Sequence, residues 1–301
     1  MNANSKRIER TDRMKIQSYS SDKSYFEKSE SFWLEQEEAN SLFWEFSGKK
    51  GGLKSRWRGN VFYQGSVIGS ALITQASHLL IAKSKPNAIQ HLTRYLKLNK
   101  IVLHGIIGAK SETEYFLNYW SSGNPNFTNE IKKSFSVFLS PRRRVKSDTS
   151  LRIVEVGERE WPRAQLWAKA FANESIPRLS KNQTQLFAKH MMEKKQLFLL
   201  KNLNQETLAM GGFGRWTPNR SIINLVYVPP EKRNKGFASK LIGKLIDRSE
   251  SLNCKKSVLF SDRSGDRNLY AKMGFKRKEL IQEISFNKGT NPPLAIHGSR
   301  R

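Results

Sequence analysis

Cysteine is almost missing from this chain. Cys254 is the only one in 301 residues, so there is no internal disulfide and no cysteine-based zinc site. Placed between a helical and a strand-like segment, it reads as a packing residue rather than a nucleophile. Negative charge is also scarce: 26 Asp and Glu stand against 53 Lys and Arg, a formal charge of +27. Such an excess invites a polyanion as partner. The basic residues are dispersed, however, and no familiar nucleic-acid reader motif accompanies them. Nucleic-acid binding is therefore not expected as the main function.

The five histidines (His78, His91, His104, His190, His297) lack metal-site spacing, so no metal is expected. No apolar run is long enough to span a membrane. The N-terminal stretch is charged and has no apolar core of a secretory signal, which makes a cytoplasmic protein the expectation. Met14 is an alternative start, directly ahead of strand-like Lys15–Tyr19. Hydrophobic content of 38% and aromatic content of 11% are those of a folded protein, and the length suits two domains.

The most informative stretch is Ser221–Leu252. The apolar, β-branched run Ile222, Ile223, Leu225, Val226, Val228 predicts a buried strand that stops at Pro229-Pro230. A basic turn with one glycine follows, then a helix. On it Phe237, Leu241, Leu245 and Leu252, flanked by Ala238, Ile242 and Ile246, form an apolar stripe, with Lys240, Lys244 and Arg248 on other faces. A helix N-terminus offers unpartnered N–H groups and a dipole that favours an anion. Gly236 lets backbone approach a phosphate, Ala238 leaves room, and Arg233 and Lys235 add matching charge. Taken alone, so short a pattern reads more simply as a solvated basic turn before an amphipathic helix.

The flanking residues change that. Val226-Tyr227-Val228-Pro229-Pro230-Glu231-Lys232-Arg233-Asn234-Lys235-Gly236-Phe237-Ala238-Ser239 resembles the acetyl-CoA-binding motif of the GNAT superfamily of N-acetyltransferases, V-x-x-x-x-R/Q-x-x-G-x-G/A. Downstream, Asn268-Leu269-Tyr270-Ala271-Lys272-Met273-Gly274-Phe275 resembles the closing LYxKxGF segment of the same family. The whole chain resembles a two-part subgroup that pairs a degenerate N-terminal copy with a C-terminal copy carrying VYxPPExRxxGxA.

The resemblance implies an α/β (α+β) protein of tandem GNAT-like folds, each a mixed, mainly antiparallel twisted sheet flanked by helices. It implies acetyl-CoA as acyl donor and an amine, small-molecule or peptide, attacking directly. Pantetheine would pair with the backbone of Leu225, Val226, Tyr227 and Val228, and the pyrophosphate would lie on Arg233, Asn234, Lys235, Gly236, Phe237, Ala238 and Ser239. Tyr270 would protonate the leaving thiolate; its plainer role is packing beside Phe275. The loop before Tyr270 is shorter than in relatives, so Asn268 either substitutes for their CoA-contacting asparagine or that contact is missing. A general base is not assigned among Glu174, Glu206 and Glu231. The alternative is a catalytically inactive CoA-binding module, or a nucleic-acid or partner-binding one with a basic surface.

The order of elements in the first half matches that of the second. Helices are expected over Phe26–Phe46, then a loop at Lys49–Gly52, a hairpin around Gln64-Gly65, and a strand at Leu79–Ala82. A helix over Ala88–Leu98, a strand at Ile101–Ile107, a helix at Glu112–Trp120 and a strand at Phe135–Leu139 complete it. Lys83-Ser84-Lys85-Pro86-Asn87 stands where the glycine turn would be, so this copy is expected not to bind CoA. The expected division is an extension over 1–14, a degenerate domain over 15–140, a linker over 141–150, a catalytic domain over 151–286 and a disordered tail over 287–301. Within the catalytic domain, Trp161, Leu166, Trp167, Ala170 and Phe171 predict one helical stripe. Leu186, Phe187, His190 and Met191 predict another behind a Ser180 cap, with His190 in the core. Gly211–Gly214 is expected to be a bulge or a point of substrate contact.

Overall fold

The computed structural model describes residues 14–46, 53–141, 149–261 and 269–287. They fall into two compact units, one of residues 1–134 with 280–301 and one of 135–279. The expected loop at Lys49–Gly52, most of the expected linker, the 1–13 stretch, Asn268 and the tail from 288 lie outside the described residues.

In the first unit the chain runs through β1 (Lys15–Ser18), α1 (Asp22–Leu34), α2 (Glu37–Asn40), a 3-10 turn (Ser41–Phe46), β2 (Ser55–Tyr63), β3 (Ser66–Thr74) and β4 (His78–Ile81). Then follow α3 (Pro86–Leu98), β5 (Gly105–Ala109), α4 (Lys110–Ser121) and β6 (Asn129–Leu139). Gln64 and Gly65, both at positive φ (48° and 79°), close the β2–β3 hairpin with the twist that paired strands need. Period-two alternation decides the two cores. Ile73, Leu79 and Ile81 pack on α3 and α4 with Leu92, Phe116 and Trp120. Leu72 and Leu80, one residue out of step, meet Tyr25, Trp33 and Phe43 on the other face. The expected strand at Ile101–Ile107 lies further on, at Gly105–Ala109, because residues 101–103 close the turn out of α3 through Ile101 N–H to Leu96 O at 3.0 Å.

The second unit takes β7 (Leu151–Glu155), α5 (Trp161–Glu174), α6 (Lys181–Glu193), β8 (Leu197–Asn202), β9 (Thr207–Trp216) and β10 (Arg220–Tyr227). After a 3-10 turn at Pro230–Lys232 come α7 (Phe237–Ser251), β11 (Lys256–Ser261), α8 (Leu269–Lys272) and β12 (Lys276–Phe286). Strands β7 to β10 form an antiparallel meander, and β10 runs parallel to β11 across the α7 crossover.

The last strand of each half is exchanged. Ser136–Leu139 of β6 pair antiparallel with β11 inside the second unit, while Ile281–Ser285 of β12 pair antiparallel with β5 inside the first. The two halves are thus not contiguous stretches of sequence, because each sheet is completed by a strand from the other half.

Of the stripes expected on two helices of the second unit, Trp161, Trp167, Ala170, Phe171, Phe187 and Met191 pack on the core, but the most buried positions are smaller neighbours. On α5 the buried residues are Ala164, Ala168 and Ala172, and Leu166 is exposed. On α6 they are Thr184, Ala188, Met191 and Met192, with Leu186 and His190 outside. Small side chains at i, i+4, i+8 let α5 and α6 approach closely, and that close packing outweighs the pull of the larger residues. His190 is therefore a surface residue. The Ser180 cap is present, its hydroxyl accepting from Gln183 N–H at 3.3 Å.

Candidate functional site

Residues of β10 alternate between two cores. Leu225 and Tyr227 face α5 and α6, and Val226 and Val228 face α7. The strand is thereby held on both faces, leaving its backbone edge for other use. The parallel ladder with β11 runs from Arg220↔Lys256 to Ile223↔Leu259, yet β10 continues to Tyr227 and β11 to Ser261. On its other side β10 slips against β9 between Asn224↔Gly212 and Tyr227↔Met210, and Leu225 sits there at φ +54°. A bulge of this kind bends the strand and increases its twist. Beyond Ile223, then, β10 turns away from β11 and opens a gap along Asn224–Tyr227.

Glycines of β9 make the bulged region compact. A Cβ at Gly212 would lie 2.0 Å from Gln196 O, and one at Gly214 2.4 Å from Asn224 Nδ2. A register shift skips Gly214, which is the bulge expected there.

Beyond the strand the chain is tightly turned. Lys232 N–H donates to Pro229 O at 2.9 Å and Arg233 N–H to Pro230 O at 3.2 Å. Asn234 and Gly236 take positive φ, 61° and 77°. Gly236 is the residue from which α7 starts, and with no side chain it caps none of the helix's first N–H groups. A Cβ at Gly236 would meet nothing within 4 Å, so the space in front of these amides is open. Lys235 and Asn234 are exposed beside it, with Phe237, Ala238 and Ser239 partly so. The structure thus brings Leu225–Val228 and Arg233–Ser239 together as one continuous edge: strand backbone, then turn, then helix N-terminus.

Arg233 differs from its expected role as a phosphate-matching charge. Its Nε donates to Val228 O at 2.9 Å, its Nη2 to Glu174 Oε2 at 2.6 Å, and its guanidinium stands 5.9 Å from the Tyr227 ring centre. The side chain ties the turn to the end of β10 and to the C-terminus of α5. Glu174 gave no sequence signal for this pairing, since 59 residues separate it from Arg233. Burial pushes the Tyr227 hydroxyl above its ordinary range, and the nearby Glu174 carboxylate adds to that, so Tyr227 stays protonated at neutral pH.

Tyr270 lies on α8, its ring 5.6 Å from Phe138 and 6.1 Å from Phe275. It is half-buried against the same core as Val226 and Val228. The packing role beside Phe275 is therefore present. Glu206 is salt-bridged to Lys232, and its second oxygen accepts from Asn202 Nδ2 at 3.1 Å. That hydrogen bond from Lys232 holds its carboxyl below the usual glutamate range. Glu231 is exposed. Among the described residues no cluster of His, Cys, Asp or Glu is arranged to hold a metal, and no helix is long and apolar enough to cross a membrane.

The equivalent place in the first unit, between β4 and α3, is filled. Lys85 N–H donates to Ile68 O at 3.1 Å and Ala82 N–H to Ser70 O at 2.9 Å, which stitches the turn onto β3. Lys83 N–H donates to Asn40 Oδ1 at 2.8 Å, and its Nζ reaches Glu112 Oε2 at 3.3 Å. Pro86 begins α3 and contributes no N–H.

No curated protein matches the chain. Solved structures do. An acetyltransferase of the GNAT family from Colwellia psychrerythraea is 14% identical, with a TM-score of 0.54 over 91% of this chain and 100% of that one. A GCN5-related N-acetyltransferase from Sphaerobacter thermophilus is 11% identical, with a TM-score of 0.56 over 93% and 97%. A tandem GNAT protein from the clavulanic acid biosynthesis pathway is 8% identical, with a TM-score of 0.50 over 91% and 98%. Identities this low establish the shared fold and nothing finer. Residues 160–275 match the model of the acetyltransferase (GNAT) family.

Proposed function

We propose that the second unit binds acetyl-CoA along β10 and the 233–239 turn and transfers the acetyl group to an amine. The observation that carries this is the parting of β10 from β11 after Ile223, continued by an uncapped helix start behind Gly236. Unpaired strand backbone suits the amide groups of pantetheine. Open helical N–H groups, with the dipole behind them, suit a pyrophosphate. In this reading a backbone N–H in the gap polarises the thioester carbonyl, which is an oxyanion-hole arrangement.

The amine nitrogen forms a bond to the carbonyl carbon, and the tetrahedral intermediate then breaks its C–S bond. Tyr270 gives its phenolic proton to the departing thiolate. The amine's own proton leaves to water, because Glu206 and Glu174 are committed to Lys232 and Arg233. The acceptor is a small-molecule or peptide amine, and the setting is cytoplasmic. The first unit, with its turn stitched shut, binds no CoA and serves a structural or lid role.

Calorimetry with acetyl-CoA tests this on wild type, Gly236→Asn and Gly236→Asp. Asn and Asp both tolerate positive φ, so the pair separates bulk from charge. Micromolar binding that weakens in Gly236→Asn and vanishes in Gly236→Asp is expected. Unchanged binding in Gly236→Asp would place the cofactor elsewhere.

A further inference from the structure

The opposite end of the same sheet carries a second feature. A cleft of about 860 Å³ is lined by Leu139, Ser140, Pro141, Gly274 and five cations, Arg220, Lys255, Lys256, Lys276 and Lys278. All nine residues belong to the second unit. Arg220 and Lys256 are the first residues of β10 and β11, partners in the parallel ladder, whereas the proposed cofactor edge begins at the far end of β10. Leu225, where that edge begins, is five residues on from Arg220, so at a strand rise of about 3.3 Å per residue the two places lie about 17 Å apart.

Three elements converge on this cleft. Lys255 and Lys256 come from the entry to β11, Lys276 and Lys278 from the start of β12, and Arg220 from the start of β10. Lys276 and Lys278 are two apart on an extended strand, so they leave it on the same side. Lys255, Lys276 and Lys278 are exposed, while Lys256 is anchored at the wall, its Nζ donating to Ser140 O at 2.9 Å. Among the described residues that line the cleft none is acidic.

Like charges gathered at one concave place repel one another. The exposed Lys255, Lys276 and Lys278 around one cleft are electrostatically relieved by an anion of high charge. Lysine is a compact point charge with rotatable donors, which suits phosphate oxygens in several geometries. The volume is that of a small-molecule site. Among the described residues no aromatic side chain lines it, so they offer no platform on which a base stacks.

We propose that this cleft is a binding site for a small anion bearing two or more closely spaced phosphate groups, separate from the acetyl-CoA edge. The probe is inorganic tripolyphosphate, titrated calorimetrically into the full chain at low and at physiological salt. Three proteins are compared: wild type, Lys255→Glu/Lys276→Glu/Lys278→Glu, and Gly236→Asp. The three lysines are exposed, so reversal leaves the core intact. Circular dichroism and acetyl-CoA binding check this, and the neutral triple Lys→Gln set replaces the first if folding suffers. We expect one tripolyphosphate per chain, at least tenfold weaker in the triple variant and unchanged in Gly236→Asp. Loss in Gly236→Asp with retention in the triple variant would put the anion at the cofactor turn and overturn the proposal. So would absence of saturable binding, or tight binding of a single-stranded oligonucleotide without binding of tripolyphosphate. Failure of the acetyl-CoA reading leaves this result readable, because the cleft variants and the turn variant report separately.

Discussion

Arg233 of the glycine turn and Glu174 at the end of α5 meet at 2.6 Å, and the same guanidinium holds Val228 O at 2.9 Å. One side chain thus fixes where the turn sits relative to the end of β10. Removing only the carboxylate, Glu174→Gln, breaks a half-exposed pair and changes unfolding free energy by at most about 1 kcal/mol. Arg233→Ala also strips the carbonyl of its donor and the Tyr227 ring of its cation, so its cost is larger, about 1–2 kcal/mol. Urea denaturation ranks the two. Calorimetry should show acetyl-CoA affinity falling about tenfold or more in Arg233→Ala and little in Glu174→Gln, since only the first releases the turn.

Two glycines separate packing from conformation. Gly212→Ala drives a Cβ to 2.0 Å from Gln196 O, and that atom is backbone that cannot yield. We expect a loss of about 3 kcal/mol or more, by analogy with overpacked cores. Gly236→Ala meets nothing within 4 Å and carries only the strain of φ +77°, which costs about 1–2 kcal/mol. Thermal melts of the two variants test the order; equal shifts would contradict it.

Most of the second unit was readable from local pattern, because β10, its proline stop, the glycine turn and α7 each have a periodicity or a punctuating residue. The Gln64-Gly65 hairpin and the Ser180 cap were legible for the same reason. What escaped was set at long range. The alanine faces of α5 and α6 carry a weak apolar signal, and only the mutual approach of the two helices selects them over Leu166 and Leu186. The exchange of β6 and β12 has no local trace, since a strand's sequence specifies its faces and not its neighbour. Arg233 looked like a free cation for a phosphate because its partners, Glu174 and Val228 O, are brought to it by the fold.

Glu206 provides a pH test. The hydrogen bond and charge of Lys232 hold its carboxyl below the ordinary glutamate value in the folded protein. A depressed folded value means that the contribution is full above the unfolded value and is lost as pH falls through the folded one. Glu206→Gln should therefore lower stability slightly at neutral pH, where the contribution is full, and converge with wild type below the folded value, which flattens the acid limb of the stability curve. In an NMR titration the Glu206 midpoint should rise toward the ordinary value when Lys232 is changed to Ala. A midpoint indifferent to Lys232 would remove that residue as the cause.

Tyr270 has two roles to separate, and Tyr270→Phe does so. The ring contacts with Phe138 and Phe275, at 5.6 and 6.1 Å between centres, survive in phenylalanine. Stability should fall by no more than about 1 kcal/mol, since only the hydroxyl of a half-buried ring is removed. If the hydroxyl protonates the thiolate, kcat falls about a hundredfold or more while acetyl-CoA affinity holds. The loss should be smaller for a thioester whose thiol is more acidic, because a better leaving group needs less help from an acid. An unchanged kcat on both thioesters would leave Tyr270 a packing residue and pass the proton to solvent.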